Sequence, residues 1–600
     1  QGALYANTTA SNNTAVGYLS LSANTTGTEN NAFGYVALQD NTTGAYNHAF
    51  GDYALTNCTT GSSNIAIGYN CLGANTTAGN NTSVGFEAMK SNTTGGDNCA
   101  FGSEALENNT TAARNTAVGR SALFTNTTAS DNTAVGANAL DANTTGAWNI
   151  AVGGDALIAN TTGDYNVAVG GNSLTVNTTG DTNTAVGYEA LEKNTTASNN
   201  TAVGFQALEE NTTGGSNTAV GAYALDSNTT GGNNIAVGYS ALGGANADYN
   251  TAVGYEALLN ETSTYNTAMG YHALRSSTSG NNNEAFGHKS LYSLTSGGYN
   301  AMVGNHCGWN ITTATHNVGM GRYVFGDSAG TNMTGGDNTA IGNYAMQKNQ
   351  SGQRNVAVGY SALFDSTSGG YSVGVGYLAG TNVTTASHCV FVGQNSGGSI
   401  TTGGYNTFVG SNTGNAVSTG QNNTFIGVDV GTSVTTGSNN TFLGHDAGTS
   451  NGVGGAMQDG ISNKLVLGDQ SVSTSYVQVD WTVGSDRRDK TDIEPFNHGL
   501  SWINKLNPVT YRWDNRSFYD DGKPDGSKKA PKLNLGLIAQ DELEVEKEHG
   551  YGDTSDNMLV ADLGLDGTKY GMQYSKLVPI LINAVKELSA KVEELESKLS

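Results

Sequence analysis

Five cysteines, nine histidines and fifty carboxylates are the side chains of this 600-residue chain that could ligate a metal or move a proton. The cysteines (Cys58, Cys71, Cys99, Cys307 and Cys389) are odd in number and contain no C-x-x-C pair, so neither a zinc site nor a disulfide framework is expected. The histidines, among them His48, His272, His288 and His306, are scattered without H-E-x-x-H or other ligand spacing. Glycine-rich stretches abound, yet none reads G-x-x-x-x-G-K-[ST]. Acidic residues such as Glu87, Glu104, Glu189 and Glu256 recur singly and form no distinctive carboxylate pair of the kind that glycoside hydrolysis needs; an exposed, solvated face is expected to explain them. No cofactor and no metal is expected. N-T-T segments match the N-glycosylation acceptor at Asn24, Asn41, Asn143 and Asn160, but Asn and Thr also suit the turn that recurs there, and the structural reading is preferred.

These residues are set in an unusual body. The chain holds 83 glycines, 5 prolines and 13% charged residues, without a Gly-X-Y period, which excludes collagen. Low charge with 37% apolar residues argues against plain disorder, and no run of 18 apolar residues is present to span a membrane. Residues 1–484 carry 10 basic and 29 acidic residues and no proline; residues 485–600 carry 16 basic, 21 acidic and all five prolines. Two bodies built on different rules therefore meet near residue 484. The acidic balance gives no support for nucleic-acid binding.

A repeat defines the first body. Asn13-Thr-Ala-Val-Gly17 recurs as Asn30-Asn-Ala-Phe-Gly34 and Asn47-His-Ala-Phe-Gly51, and the closing glycine returns every 17 residues through Gly238. The spacing is 16 at Gly254 and Gly270, 17 through Gly321, 21 at Gly342, and 17 again through Gly444. A 17-residue unit has little room for a helix pair but suits one coil of a β-solenoid, with coils ~4.8 Å apart and about 26 of them making a rod of roughly 125 Å. Relative to the marker glycine, early coils carry Ala at −2 and Leu at +4 (Ala185/Leu191, Ala202/Leu208), whereas later ones carry a large residue at −2 and Gly at +4 (Met302/Gly308, Phe408/Gly414, Phe425/Gly431). Such compensation places both positions in one core layer. Asn at −4 is expected to form a stacked amide ladder. Cys71 and Cys307 replace the small residue at +3 and read as small buried hydrophobes.

The second body is organised differently. Tyr476–Val483 reads as a last strand, followed by Gly484-Ser485-Asp-Arg-Arg-Asp-Lys490, then Gly499-Leu-Ser-Trp-Ile-Asn-Lys-Leu-Asn-Pro-Val-Thr-Tyr511, Leu535-Gly-Leu-Ile-Ala-Gln540 and Tyr574-Ser-Lys-Leu-Val-Pro-Ile-Leu. These ordered motifs resemble the S74 family, the intramolecular chaperone and self-cleaving domain at the C-terminus of phage tail fibres, tailspikes and endosialidases. The coils separately resemble the head repeats of trimeric bacterial adhesins. The S74 resemblance maps a catalytic pair onto Ser485 and Lys490, with Gly484 and Asp486 flanking the cleavage site; both sides of Ser485 remain candidates for the cut. A serine hydroxyl is a poor nucleophile until a base takes its proton, and lysine serves if burial or nearby positive charge, such as Arg487 and Arg488, lowers its pKa. Val578, Leu581, Val585, Leu588, Val592, Leu595 and Leu599 step by 3 and 4 as in a coiled coil. That pattern alone favours two strands, whereas the resemblance implies a homotrimer.

The expected fold is mainly β: a trimeric parallel β-solenoid rod over 1–470, a connecting strand or linker over 471–484, and a small α+β S74 domain over 485–600 ending in a coiled-coil helix. The leading functional expectation is a structural, receptor-binding fibre of a virion, extracellular and not membrane-embedded, that meets a host cell-surface receptor or glycan and whose C-terminal domain trimerises it and then cleaves itself off. A cellular adhesin or surface filament, for which a secretion anchor is expected and none is seen, and a polysaccharide-degrading tailspike are the alternatives.

Overall fold

The computed structural model describes all residues except 245, 327–331, 450–459, 470, 473–474, 479–482, 517–518, 520–521 and 564–568. It divides into two compact units, Gln1–Asn343 and Tyr344–Ser600. The described residues of the first form solenoid coils. The second continues with coils to Leu465–Leu467 and then holds a small α+β region ending in a long helix. Among the described residues, no helix is long and apolar enough to cross a membrane.

Each coil contributes one three-residue strand at −3 to −1. Thr184–Val186 pairs parallel with Thr201–Val203, Ala185 opposite Ala202, and the same register recurs from coil to coil. The strand alternates, so Ala at −2 is fully buried while −3 and −1 face outward. Much of the remaining coil is turn whose backbone bonds to both neighbours. Gly187 N donates to Val169 O on the preceding coil, and Leu191 N donates to Ala207 O on the next. A coil therefore satisfies its backbone only inside the stack.

The marker glycine has a steric cause. Gly187 has φ 142°, and a Cβ there would lie 2.2 Å from the carbonyl oxygen of Gly204. Three further positions adopt left-handed backbone with ordinary side chains: Thr182 at −5 (φ 55°), Glu189 at +2 (φ 56°) and Leu191 at +4 (φ 54°). Left-handed backbone costs a non-glycine residue about 1–2 kcal/mol. Complete burial of the leucine opposes that cost at +4.

The size exchange at −2 and +4 is a direct contact. A Cβ on Gly414 would lie 2.5 Å from ring atoms of Phe408, and Gly431 and Gly448 stand in the same relation to Phe425 and Phe442. The rings stack along the core, with centroids 4.9 Å apart for Phe408–Phe425 and 4.6 Å for Phe425–Phe442.

Two asparagine ladders run through the early coils. At −4, Asn30 Oδ1 accepts from Asn47 N at 2.9 Å, and Asn30 Nδ2 donates to Gly44 O. The second lies at +7, in the N-T-T segments: Asn41 Nδ2 donates to Asn24 Oδ1 at 2.8 Å and to Gly44 O at 3.0 Å. Asn24, Asn41, Asn143 and Asn160 are fully buried, and each Nδ2, the atom a glycan would occupy, donates within the stack. Cys58 and Cys389 take ladder positions in their coils. Burial pushes the Cys71 thiol up to about 11 and the Cys307 thiol to about 12, which makes both poor nucleophiles.

Two expectations need correction. The +2 carboxylates are half-buried rather than exposed, because +2 side chains lie along the coil surface against the neighbouring coils. Glu256 is within 2.6 Å of Arg275, Glu87 within 3.1 Å of Lys90, Gln206 donates to Glu189 and Ser121 to Glu104. The last strand of the coil stack among the described residues is Leu465–Leu467; within Tyr476–Val483, residues 476–478 and 483 form no strand and 479–482 lie outside the described residues.

The shared layer predicts strong coupling. Phe408→Ala should cost about 3–5 kcal/mol through its cavity, and Gly414→Leu about 1–3 kcal/mol through overpacking. The double variant, which recreates the Ala/Leu pair of the early coils, should unfold closer to wild type than Phe408→Ala alone. Simple addition of the two costs in thermal unfolding would refute the shared layer.

Candidate functional site

Ser485 and Lys490 are brought together by one turn. Residues Arg487–Asp489 form a 3-10 turn capped by Asp486, whose carboxylate accepts from Arg488 N at 2.9 Å. Lys490 N closes the turn onto Arg487 O. Lys490 Nζ thereby donates to Ser485 Oγ at 2.5 Å. Both side chains are exposed on the single chain. Arg488 pairs with Asp486 at 2.6 Å, and this hydrogen bond holds the Asp486 carboxyl below its usual range. Asp486, expected only as a flank of the cleavage site, is thus also the residue that caps the turn. Among the described residues, a Cβ on Gly484 would meet nothing within 4 Å, so they leave the backbone next to Ser485 uncrowded.

The remaining motifs converge on one core. Helix α1 (Leu500–Ile503) packs on α3 (Leu577–Leu599), and a Cβ on Gly499 would lie 2.6 Å from Ala584 N, so glycine permits the approach. Leu500 N donates to Glu587 Oε2 at 2.8 Å, and Asn583 Nδ2 to Phe496 O at 2.6 Å. Val509–Tyr511 pairs antiparallel with Asn534–Gly536, and Leu537 N donates to Tyr574 Oη at 2.8 Å. Trp502, Val545, Val560, Leu577 and Ile580 form the hydrophobic centre.

Two buried carboxylates of α2 (Ala539–Glu548) escaped the sequence reading. Glu546 accepts three backbone N–H groups, from Leu559, Val560 and Ala561, at 2.6–2.7 Å. Glu542 accepts from Trp502 Nε1 at 2.8 Å, and its Oε2 has no hydrogen-bond partner among the described residues. Burial, reinforced by the nearby Glu546 charge, raises Glu542 to about 7 against the opposing Trp502 bond. A run of alternating acids at 542, 544 and 546 was the only sequence signal for them.

Helix α3 buries only Leu577, Ile580 and Ala584 among its described residues; Val578, Leu581, Val585, Leu588, Val592, Leu595 and Leu599 are all exposed on the single chain. Pro579 falls in the first turn, where no intrahelical N–H is needed. Elsewhere, the ligand atoms of Asp429, His445 and Asp446 lie within 4.8 Å of one another, as do those of Glu189, Glu192 and Glu209; these two groups have the spacing to hold a cation.

Residues 485–551 match the Peptidase_S74 family model, described as "Chaperone of endosialidase", and the match begins at Ser485 itself. No curated protein and no solved structure matches the chain. The C-terminal region thus matches the S74 family.

Glu542 makes the stability of this region depend on pH. The folded state keeps its proton up to about pH 7, whereas the unfolded chain releases it near 4.5, the ordinary range of a glutamate. The stabilising contribution is complete below about 4.5 and is lost as pH rises to about 7. Helical circular dichroism, which among the described residues reports only on 485–600, should show the melting midpoint falling over that range. Glu542→Gln, which keeps an acceptor for Trp502, should remove this dependence; an unchanged slope would contradict the assignment.

Proposed function

We propose that the chain is a homotrimeric fibre, most simply a virion tail or surface fibre that meets a receptor on a host cell, and that its S74 region aligns three copies and then cuts itself away. One observation carries the reading: two unpartnered apolar stripes precede and follow the S74 match. Every coil places Val, Ile, Phe, Met or Leu at −1, from Val16 through Phe101 and Met320 to Leu467, and none of these side chains is buried. A partner for such a column must repeat at the coil spacing, which a second and third copy of this chain do automatically. The exposed stripe of α3 calls for the same partners, in parallel.

Cleavage follows from the Ser485–Lys490 contact. Lys490, in its neutral form, takes the Ser485 Oγ proton as Oγ attacks the Gly484 carbonyl carbon. The Gly484–Ser485 C–N bond breaks, the lysine returns the proton to the departing nitrogen, and an ester joins Gly484 to Oγ. Water then hydrolyses that ester, leaving a Gly484 carboxylate and a new N-terminus at Ser485. A lysine is neutral near pH 7 only when buried or crowded by positive charge. On the single chain Lys490 is exposed and Arg488 is engaged by Asp486. Packing of neighbouring copies over the turn would supply the burial, so cleavage would wait for assembly.

Wild-type chain is expected to yield fragments of about 484 and 116 residues. Ser485→Ala and Lys490→Ala should each stay full-length while sedimenting as trimers. N-terminal sequencing of the small fragment fixes the cut: Ser485 first supports the route above, Asp486 first places the cut after the serine. Normal cleavage of either variant would overturn the pair.

A further inference from the structure

The coils are not equally constrained around their circumference. Positions −4, −2, 0, +3, +4 and +7 keep to a few residue types dictated by ladders, core and close approach. Positions +1, +2, +5 and +6 change from coil to coil, as in Tyr360-Ser361/Phe364-Asp365, Tyr377-Leu378/Thr381-Asn382 and Gly154-Asp155/Ile158-Ala159. Most side chains of these four columns reach the surface, although Val36, Ser121 and Ser361 at +2 are buried, and the columns are free to carry recognition.

Two depressions open on the same columns. One, of about 460 Å³, is lined by Tyr344, Gln347, Tyr360, Phe364, Asp365 and Asn382 among others. A second of the same volume, in the other unit, includes Tyr53, Asn57, Asn70 and Lys90. Both fall in the size range of small-ligand sites. The first is built of fixed rings and planar polar groups. Tyr360 is 45% exposed and stacks on Tyr377 with centroids 5.4 Å apart, while Tyr344 meets Tyr360 edge-on at 5.6 Å. Lys348 sits 5.0 Å from the Phe364 centroid and 2.6 Å from Asp365, so the acid of the depression is neutralised locally.

We propose that this depression binds a neutral saccharide, with the C–H face of a sugar ring against Tyr360 and its hydroxyls toward Asp365, Gln347 and Asn382. The rings are already ordered by one another, which limits the entropy lost on binding. A polyanion is disfavoured by a body carrying 29 acidic against 10 basic residues over 1–484. A peptide adding as a strand would need free backbone, but here Asp365 N donates to Thr381 O and Lys348 N to Phe364 O. The inference deepens the fibre reading and rests on it only for the setting in which the groove is displayed.

The test uses the full chain and a panel of immobilised neutral hexose and N-acetylhexosamine disaccharides, with the same sugars free as competitors. At least one should bind with a dissociation constant between micromolar and millimolar. Tyr360→Ala with Asp365→Asn should weaken it at least tenfold, whereas Tyr53→Ala should leave it unchanged, and all should match wild type in size and heat resistance. A wild-type chain that binds no sugar of the panel, or a double variant that binds equally well, overturns the proposal. Sedimentation of the same samples separates the two readings: trimers that bind no sugar overturn only the saccharide site. Monomers count against the fibre reading, and their sugar binding still decides the groove.

Discussion

The approach of one coil's backbone to the next at the marker glycine is the constraint on which the rest depends. With a would-be Cβ 2.1–2.8 Å from the following coil's carbonyl at most of these positions, only glycine lets the coils close to hydrogen-bonding distance. Everything that stabilises a coil needs that spacing: the backbone bonds to both neighbours, the two asparagine ladders, and the stacked core residues at −2 and +4. A single coil has none of these alone, so stability belongs to the stack.

The same regularity creates a problem. Coils that differ mainly at +1, +2, +5 and +6 present nearly identical strand faces, so copies of the chain can meet in many registers offset by one coil at similar energy. Weakly specified register invites slippage and aggregation. Residues 485–600 lack the repeat, and their core of Trp502, Val545, Val560, Leu577 and Ile580 can form only once per copy. In the proposed account it therefore sets the register, and cleavage at Ser485 afterwards removes the path back, leaving a fibre protected by slow unfolding.

Much of the coil was legible because it repeats: the glycine, the −4 ladder and the compensated pair at −2 and +4 are visible as columns in the sequence. The +7 ladder was not, because Asn in N-T-T suits a surface turn equally well and nothing local announces that Asn24 and Asn41 are buried. Nor does Leu191 announce a left-handed backbone, which leucine adopts here only because the stack buries it. In the C-terminal region the Ser485–Lys490 pair came from family resemblance, and a local turn explains its geometry. Glu542 reaches Trp502 across 40 residues of sequence, a tertiary fact without a local signature.

In the proposed fibre, the C-terminal region is needed for assembly but not for persistence afterwards. The most direct measurement compares residues 1–484 expressed alone with the same residues left after full-length chain has assembled and lost 485–600. Aggregated or misregistered chains are expected in the first case and soluble, heat-resistant trimers in the second. Soluble, heat-resistant trimers in good yield from 1–484 expressed alone would contradict this.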